Sequence, residues 1–344
     1  MPSPTISSSN AAAVKKWNST VMTDHLRGAL LEPLMGTSED AIIQVLPEPE
    51  LSSTGDEFTF HYRPALDRTT GVDGSDVLRG KEQDLTLYTD KVTIDERANA
   101  ISIRNFDISQ KRTVVNLKDQ QFKALQDWLI ERNHLKMMQQ LLSTSTGRVR
   151  ARALYGSSDA NWNATEATAK ANVDAINDLL TVEMLVLAKQ KAQLEGSSKM
   201  RPANVSRSED APVESFVFLG HPYAVRRLTK DPEWRNAEYF SEVASNKRHG
   251  GAFYKGTIEG VSVYEMPESN MLEASAGAGS ITIAHGLLLG AQAACVGYGM
   301  DPEFRPDNDD YDRIQNLGVI SLQGEKKTVF NGEDFGIVHV YSAY

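Results

Sequence analysis

One uninterrupted helical pattern near the middle of the chain constrains the fold more than any other feature. Over residues 113–143, apolar side chains recur at intervals of three and four, with Lys, Asp, Glu and Gln between them. The pattern predicts an amphipathic helix of about eight turns, on the order of 45 Å long. We expect it to end before Gly147. Its apolar positions are Leu117, Leu125, Trp128, Leu129, Leu135, Met138, Leu141 and Leu142.

The segment before this helix has the alternation of a β-strand and a high density of charge. In LRGKEQDLTLYTDKVTIDERANAISI, residues 78–103, apolar and polar side chains alternate over most of the length, which predicts a half-buried ribbon. A second alternating run, EFTFHYRPAL, precedes it. Between them, DRTTGVDGSDVLRGKEQD is rich in Gly and has almost no apolar side chains, so we expect it to be the tip of a long hairpin. The positions expected to face the core are Leu85, Leu87, Val92, Ile94, Ile101 and Ile103.

The rest of the chain mixes helices and strands without an internal repeat. A second amphipathic helix is predicted near residues 166–194, followed by a buried strand, SFVFLG, and a short helix, HPYAVRRLTKD. An acidic loop, DPEFRPDNDDYD, separates this part from the C-terminal strands RIQNLGVISLQG and DFGIVHVYSAY. The order of elements favours an α+β fold over a repeating βαβ enzyme fold.

Composition narrows the possible partners. The chain of 344 residues carries Lys+Arg 36 and Asp+Glu 46, a net charge of -10, and it has no basic run of the kind that follows a nucleic-acid backbone. The single cysteine, Cys295, cannot close an intrachain disulfide, and no Cys/His spacing resembles a zinc site. Stability is therefore expected to come from packing and from assembly, in a reducing compartment.

The first residues are expected to form an arm. Residues 1–20 are rich in Ser, Ala and Pro, which favours a segment that orders only against a partner. The opening MPSPTISSSNAAAVKKW lacks the basic start and apolar core of a signal peptide, and no stretch reaches 18 consecutive apolar residues. We expect a chain made in the cytoplasm, with no membrane partner.

Enzyme motifs are missing from the sequence. There is no G-x-S-x-G nucleophile motif, no P-loop and no G-x-G-x-x-G, so the His-Gly-Gly at His249–Gly251 is best interpreted as a flexible loop. His221, between Gly220 and Pro222, could be catalytic, but a hydrogen-bonded turn histidine is the favoured interpretation because no partner base lies nearby in sequence. We predict no catalytic residue, no cofactor and no enzymatic activity.

Two further clusters allow more than one interpretation. The acidic residues Asp307, Asp309, Asp310 and Asp312 could hold calcium, but they fail the EF-hand pattern, and a solvated acidic loop is favoured over a metal site. Lys81 and Lys91 could donate isopeptide bonds to a neighbouring subunit, which requires a desolvated lysine and a nearby carboxylate. Salt-bridging lysines are the default interpretation.

The order of a polar arm, a long charged hairpin, a long helix and a mixed α and β remainder resembles the Hong Kong 97 fold of tailed-phage major capsid proteins. Local blocks from about residue 40 to the C-terminus narrow the resemblance to the N-four-like podophage major capsid family. These blocks are VLRGKEQDLTLYTDKVTID, LQDWLIERNHLKMMQQL, FVFLGHPYAVRRLTKDPEWRNA, GTIEGVSVYEMPES, LLLGAQAA and KKTVFNGEDFGIVHVYSAY.

The resemblance implies a domain order. Residues 1–54 would form the N-terminal arm and lead-in, and residues 55–105 the extended E-loop hairpin. Residues 106–219 would form the peripheral domain, with the spine helix at 113–143. Residues 220–300 would form the axial domain, and residues 301–344 the C-terminal strands that complete the peripheral and axial core.

The resemblance also implies a function and partners. It implies a structural protein of the virion that self-assembles as pentamers and hexamers into an icosahedral head around double-stranded DNA. A portal protein would occupy one vertex, and scaffolding and decoration proteins would be further partners. Two alternatives stay open: an encapsulin-like compartment shell of the same fold, and an α+β enzyme whose site the sequence does not reveal.

Charged residues beside the apolar stripe of the hairpin are the candidate site residues. The exposed edge of such a hairpin is a template for pairing with another chain. We therefore expect these residues to form ion pairs between neighbouring subunits. They are Arg79, Lys81, Glu82, Asp84, Asp90 and Lys91.

Overall fold

The computed structural model describes residues 31–46, 57–63, 66–67, 70–74, 77–85, 87–204, 214–236 and 253–344. The predicted arm over residues 1–20 and the loop at His249–Gly251 lie outside the described residues. The chain divides into two compact units. The smaller unit contains Glu96–Arg132 and Asp301–Ser321, and the larger unit contains the other described residues.

Helices and strands both occur along the chain, which confirms the predicted mixed α and β class. Among the described residues the helices are α1 (Phe106–Arg112), α2 (Leu117–Leu142), α3 (Glu166–Ala171), α4 (Val182–Leu194) and α5 (Pro222–Leu228), and residues 232–236 are also helical. The strands are β1 (Met35–Gly36), β2 (Ile43–Leu46), β3 (Glu57–Tyr62), β4 (Tyr88–Thr93), β5 (Asp95–Arg104), β6 (Ala153–Tyr155), β7 (Ala203–Asn204), β8 (Glu214–Gly220), β9 (Tyr254–Ile258), β10 (Val261–Glu265), β11 (Leu272–Glu273), β12 (Ile283–Leu289), β13 (Ala294–Asp309), β14 (Ile314–Lys327), β15 (Val329–Phe330), β16 (Glu333–Asp334) and β17 (Ile337–Ala343).

The larger unit is built on one sheet, in the strand order β6, β17, β12, β8, β10, β9, with β7 beside β8 and β11 beside β12. β12 is antiparallel to β17, from Ile283 opposite Ala343 to Leu289 opposite Ile337, whereas β8 is parallel to β10. Every residue of β12 and β17 is buried. Strands in which buried and exposed residues do not alternate are typical of a sheet that is covered on both faces.

Helices cover the two faces of this sheet. Phe216 and Phe218 of β8 belong to a core that includes residues of α4 and α5. Val217 and Leu219 of the same strand belong to a core that includes the C-terminal end of α2. Because successive side chains of a strand point to opposite faces, the run SFVFLG supplies both cores at once.

The smaller unit has its own apolar core. Leu125 and Leu129 of α2 pack there with Val319 of β14. The strand order in this unit is β13, β14, β5. Gln121 of α2 is buried, and its side-chain amide donates to the carbonyls of Ile101 (3.4 Å) and Gln315 (3.3 Å). A polar side chain on the buried face of α2 is therefore satisfied by the backbone of two strands.

The long helix is confirmed, with a start four residues later than predicted. Asn116 directly precedes α2, and its side-chain oxygen accepts a hydrogen bond from the N–H of Lys118 at 3.1 Å. Asparagine is favoured at this position because it satisfies an N–H that has no partner within the helix. No helix among the described residues is both long enough and apolar enough to cross a membrane.

The prediction of one helix over residues 166–194 is wrong, because α3 and α4 are separate helices. The buried carboxylate of Asp178 accepts hydrogen bonds from the N–H groups of Ser157 (2.7 Å) and Asp174 (2.9 Å). These bonds stabilise a non-helical backbone between the two helices. Two apolar residues within the range of the predicted helix are exposed, Ile176 (82%) and Leu194 (68%).

The prediction of an acidic loop at residues 301–312 is also wrong, because β13 continues through most of it to Asp309. Most side chains of this segment are exposed, so it lacks the alternation that marks a half-buried strand. Glu303 and Arg305 lie two residues apart and form an ion pair at 2.6 Å. The turn into β14 consists of three non-glycine residues with positive φ, Asp310, Tyr311 and Asp312.

Candidate functional site

β3 and β4 form the antiparallel hairpin that the alternating segments predict, and it lies in the larger unit. Phe58 of β3 is opposite Val92 of β4, and both side chains are buried. Their neighbours Thr59 and Lys91 are exposed. The hairpin therefore has one apolar face and one wet face.

The buried face of the hairpin packs on β13. Phe58 and Val92 form a small core with Cys295. A Cβ atom at Gly297 would lie 2.5 Å from the Phe58 ring, so only glycine allows the ring to approach this closely. Burial raises the pKa of the Cys295 thiol to about 12, and the thiol donates to the carbonyl of Lys326 at 3.5 Å. The thiol is therefore protonated and unreactive at neutral pH.

Aromatic rings surround the end of the hairpin where the long loop begins. The ring of Tyr62 lies 5.7 Å from the rings of both Phe330 and Phe335. Tyr88, opposite Tyr62, makes an edge contact with Phe330 at 5.2 Å. Offset and edge contacts of this kind each add about 0.5–1.5 kcal/mol beyond the burial of area. The root of the loop is therefore fixed on both strands.

Two ion pairs join β4 to its surroundings. Asp90 pairs with Lys326 of β14, whose ammonium also donates to the carbonyl of Lys91 at 3.0 Å. Lys91 pairs with Glu57 across the hairpin at 2.6 Å. Two of the predicted intersubunit residues thus form ion pairs within the chain.

The side chain of Gln83 joins two described parts of the loop between Tyr62 and Tyr88. Gln83 accepts a hydrogen bond from the N–H of Asp67 at 2.8 Å and donates to the carbonyl of the same residue at 2.8 Å. Its amide also donates to the hydroxyl of Thr70. We refer to these contacts of Gln83 as the clasp. They bring together the two sides of the loop, 16 residues apart in sequence.

A tight turn lies inside the clasp. The N–H of Lys81 donates to the carbonyl of Leu78 at 2.9 Å, and Gly80 between them has a φ of 88°. The carboxylate of Glu82 accepts from the N–H of Gly80 at 2.6 Å. Glycine is favoured here because other residues rarely adopt this conformation.

The loop exposes apolar side chains, contrary to the prediction of a polar tip. Leu85 and Leu87, which were predicted to face the core, are 65% and 55% exposed because β4 begins only at Tyr88. Isolated exposed apolar residues are common, but a group of them marks an interaction surface. We refer to this group as the loop patch, and its members are Leu66, Val77, Leu78, Leu85, Leu87 and Tyr88.

Removal of the clasp is expected to open the loop without unfolding the protein. In Gln83→Ala the backbone of Asp67 loses both hydrogen bonds to this side chain, and since each contributes about 0.5–1.5 kcal/mol, we expect cleavage by trypsin at Arg79 and Lys81 to accelerate about fivefold or more. The urea midpoint should stay unchanged. Gln126→Ala, at an exposed position of α2, is the control, and equal cleavage of the two variants would contradict the role of the clasp.

The predicted site residues divide into two groups. Asp90 and Lys91 lie on β4, within the ion pairs described above. The other four lie in the loop with exposed side chains, namely Arg79, Lys81, Glu82 and Asp84. Their role between subunits stays a prediction. Sequence analysis missed Glu57, Gln83 and Lys326, because contacts with residues so distant along the chain leave no local pattern.

His221 occupies the position favoured by the sequence, a hydrogen-bonded turn. It precedes α5, and its Nδ1 accepts from the N–H of Tyr223 at 3.2 Å. Burial lowers the pKa of its imidazole. In the acidic cluster, Asp310 pairs with Arg313 at 3.1 Å. Within the described part of the chain, no three His, Cys, Asp or Glu side chains are grouped to hold a metal ion.

Comparisons with known proteins agree on one family. The model of a family described as phage capsid protein matches residues 5–344. A structure of the cyanophage Pam1 capsid asymmetric unit has 23% identity, covers 97% of both chains and gives a TM-score of 0.80. The capsid of Ralstonia phage GP4 has 26% identity over 99% of this chain and 98% of that chain, with a TM-score of 0.79.

A more distant capsid has the same fold. The acidic stable capsid structure of Helicobacter pylori bacteriophage KHP30 has 15% identity over 96% of this chain and 94% of that chain, with a TM-score of 0.71. No curated protein matches the chain. The narrower resemblance to the N-four-like podophage family stays a prediction. Because the family model spans nearly the whole sequence, the chain belongs to the phage capsid protein family, as the resemblance predicts.

Proposed function

We propose that the chain is the major capsid protein of a tailed phage and that it self-assembles as pentamers and hexamers into the icosahedral head around double-stranded DNA. The observation that carries this proposal is the loop patch, whose apolar side chains are 49–71% exposed and are only partly covered by the described residues. Burial of each leucine in an interface contributes about 1.5–3 kcal/mol. A second copy of the chain would supply that cover.

The smaller unit offers a surface that fits this role. Four of its exposed apolar residues lie on α1, in the link between α1 and α2, and on α2, and we refer to these four as the helix patch. The loop patch of one copy would pack on the helix patch of the next copy. Two different patches give a head-to-tail contact, which closes into rings when the rotation per copy permits. The helix patch consists of Ile108, Val114, Phe122 and Ile130.

Charges on the loop would set the register of this contact. Arg79, Lys81, Glu82 and Asp84 carry both signs and lie in sequence between Leu78 and Leu85 of the loop patch, so a shifted partner would place like charges together. Asp90 and Lys91 would contribute between subunits only by exchanging their partners within the chain, Lys326 and Glu57. The four charged residues of the loop would therefore contribute more than Asp90 and Lys91 to the register of the contact between subunits.

The finer assignments follow the resemblance to the Hong Kong 97 fold. Residues 1–54 would be the N-terminal arm and lead-in, and residues 55–105 the E-loop. Residues 106–219 would be the peripheral domain, with α2 as its spine helix. Residues 220–300 would be the axial domain, and residues 301–344 the strands that complete the core. The antiparallel hairpin of β3 and β4 and the length of α2 support this order.

The remaining partners belong to the same proposal. A portal protein would occupy one vertex, and scaffolding and decoration proteins would act during and after assembly. The packaged DNA would be held without sequence-specific contacts, since a net charge of -10 favours a wall that does not adhere strongly to a polyanion. The chain would be made in the cytoplasm of the host and would act in the virion.

The purified chain is expected to form rings or closed shells. We would measure sedimentation by analytical ultracentrifugation and inspect the fast fraction by negative-stain electron microscopy. Particles from infected cells should contain DNA. Small discrete oligomers at every concentration would contradict the proposal, and shells that contain an enzyme instead of DNA would favour a compartment protein of the same fold.

A further inference from the structure

A chain of hydrogen bonds links three buried side chains of the larger unit. The Nε2 atom of His339 lies 3.0 Å from the carboxylate of Asp334, and the Nδ1 atom of His339 lies 2.9 Å from the Nε2 atom of His285. We refer to these three residues as the histidine chain. All three are buried, with exposed fractions of 0% for Asp334 and His339 and 3% for His285.

The partners of Asp334 determine where the protons lie. Its other carboxylate oxygen pairs with the ammonium of Lys327 at 2.8 Å, which marks Asp334 as an anionic acceptor. His339 must then donate from Nε2 and accept at Nδ1, and His285 must donate from its own Nε2. This order leaves Nδ1 of His285 as the position within the histidine chain that can take another proton.

The surroundings of His285 disfavour that extra proton. Burial lowers the pKa of His285 well below its usual value, and the nearby His339, Lys170 and Lys327 lower it further. Glu273 lies 3.8 Å from Nδ1, beyond hydrogen-bond distance, and already pairs with Lys170 at 2.6 Å. Lys170 also pairs with Glu166. The one carboxylate that could stabilise a charged His285 is therefore engaged by a lysine.

Two stacked tyrosines complete the enclosure. The ring of Tyr341 stacks on His285 at 4.3 Å, and Tyr155 stacks on Tyr341 at 4.6 Å. The hydroxyl of Tyr341 donates to Glu166 at 3.2 Å, and the guanidinium of Arg148 donates to the hydroxyl of Tyr155. Arg152 adds a positive charge near Asp334. Tyr341 thus covers one face of an imidazole that is almost wholly buried, and separation of the strands would expose this imidazole to water.

We propose that the histidine chain makes the pairing of β12 with β17 sensitive to acid, so that this part of the protein loosens as the pH falls below neutrality. His285 lies on β12 and His339 on β17, the two central strands whose every residue is buried. Separation of these strands exposes Nδ1 of His285 to water. A proton then binds there and stabilises the open form.

The sign and the size of the effect follow from linkage. In the open form His285 titrates with its ordinary pKa of about 6.5, whereas in the closed form it stays neutral to much lower pH. The stabilising effect is complete above about pH 6.5 and is lost progressively as the pH falls toward the lower pKa of the closed form. Between pH 7.5 and pH 5.0 this one group should lower the folding equilibrium constant about 30-fold.

His285→Gln tests the proposal, because the amide can still donate to His339 but does not titrate. Urea unfolding of the full chain would be measured at pH 7.5 and pH 5.0. The wild type should lose about 30-fold more in its folding equilibrium constant over this interval than His285→Gln does. His61→Gln, at an exposed histidine of the hairpin, is the control and should behave as the wild type. Equal losses in wild type and His285→Gln would overturn the proposal.

A measurement on the wild type keeps the test independent of whether the variant folds. The exchange of the C2 hydrogen of each histidine with deuterium, followed by mass spectrometry across pH, reports the titration of that ring in the native protein. His285 should show no inflection near the ordinary histidine pKa of about 6.5, because its own pKa lies well below that value. An inflection of His285 near pH 6.5 would overturn the proposal.

Discussion

Deletion of residues 68–82 is expected to abolish assembly and to leave the larger unit folded. The deletion removes the tight turn and part of the loop patch, including Val77 and Leu78. It joins Asp67 to Gln83, whose side chain already contacts the Asp67 backbone, so the shortened loop can close without moving the hairpin. The sedimentation boundary of rings or shells should disappear, while the circular dichroism spectrum and the urea midpoint change little.

A matched pair of substitutions separates lost apolar contact from lost loop length. Leu85→Asn with Leu87→Asn changes two exposed leucines of the loop patch. Ile176→Asn with Leu194→Asn changes two apolar residues that are even more exposed, on other parts of the larger unit. The first pair should prevent assembly and the second should not. Normal particles from the deletion or from the first pair would contradict the role assigned to the loop.

Mixing two defective chains tests the head-to-tail arrangement. A chain without residues 68–82 keeps its helix patch, and a chain with Ile130→Glu and Phe122→Asp keeps its loop patch. Each should stay monomeric alone because every contact needs one patch of each kind. A mixture should form dimers and no larger assembly, because the dimer has already used the one intact helix patch and the one intact loop patch. Shells from the mixture would rule out a contact built from these two patches.

Lys327→Met is expected to destabilise the larger unit by about 3–5 kcal/mol, because it leaves the Asp334 anion buried beside fewer donors. The two side chains are 4% and 0% exposed and 2.8 Å apart. The lysine also donates to the carbonyls of Ser143 and Thr146, which would lose that donor. Urea unfolding at pH 7.5 measures the loss.

Lys91→Met provides the comparison on the surface. It breaks the pair with Glu57, whose side chains are 59% and 42% exposed, so the cost should be at most about 1 kcal/mol. The same chemical change is made at both positions, but Lys327 is buried and also donates to two carbonyls, whereas Lys91 is exposed. If the two variants lose similar stability, the pair of Lys327 and Asp334 does not have the energetic role that its burial indicates.

Local periodicity explains why the hairpin and the long helix could be predicted. The alternation of apolar and polar residues predicted β3 and β4, and the recurrence of apolar residues every three or four positions predicted α2. In each case one face of the element is buried and the other faces solvent. The unbroken apolar run of β8 was also recognised, since a strand covered on both faces needs apolar residues at every position. In these elements the same pattern of buried residues recurs over several helical turns or several strand residues.

The structural features that the sequence did not predict depend on single contacts or on exposed residues. One buried carboxylate, Asp178, binds backbone amides and divides a segment whose periodicity is helical, which no average over a window can reveal. The distal part of β13 is a strand with most side chains exposed, so it carries no periodic signal. Lys326 reaches Asp90 across 236 residues of sequence, and the spacing along the chain contains no trace of that contact.

Because Cys295 lies under the hairpin, the reactivity of its thiol can be used to measure the opening of the hairpin. The chain has one thiol, and it is buried beneath Phe58 and Val92 with a pKa raised to about 12. An alkylating reagent can reach it only when the hairpin lifts from β13. The rate at which Cys295 is alkylated therefore measures how often the hairpin separates from β13. Each chain can take one label, so the measurement applies to free subunits and to assembled particles.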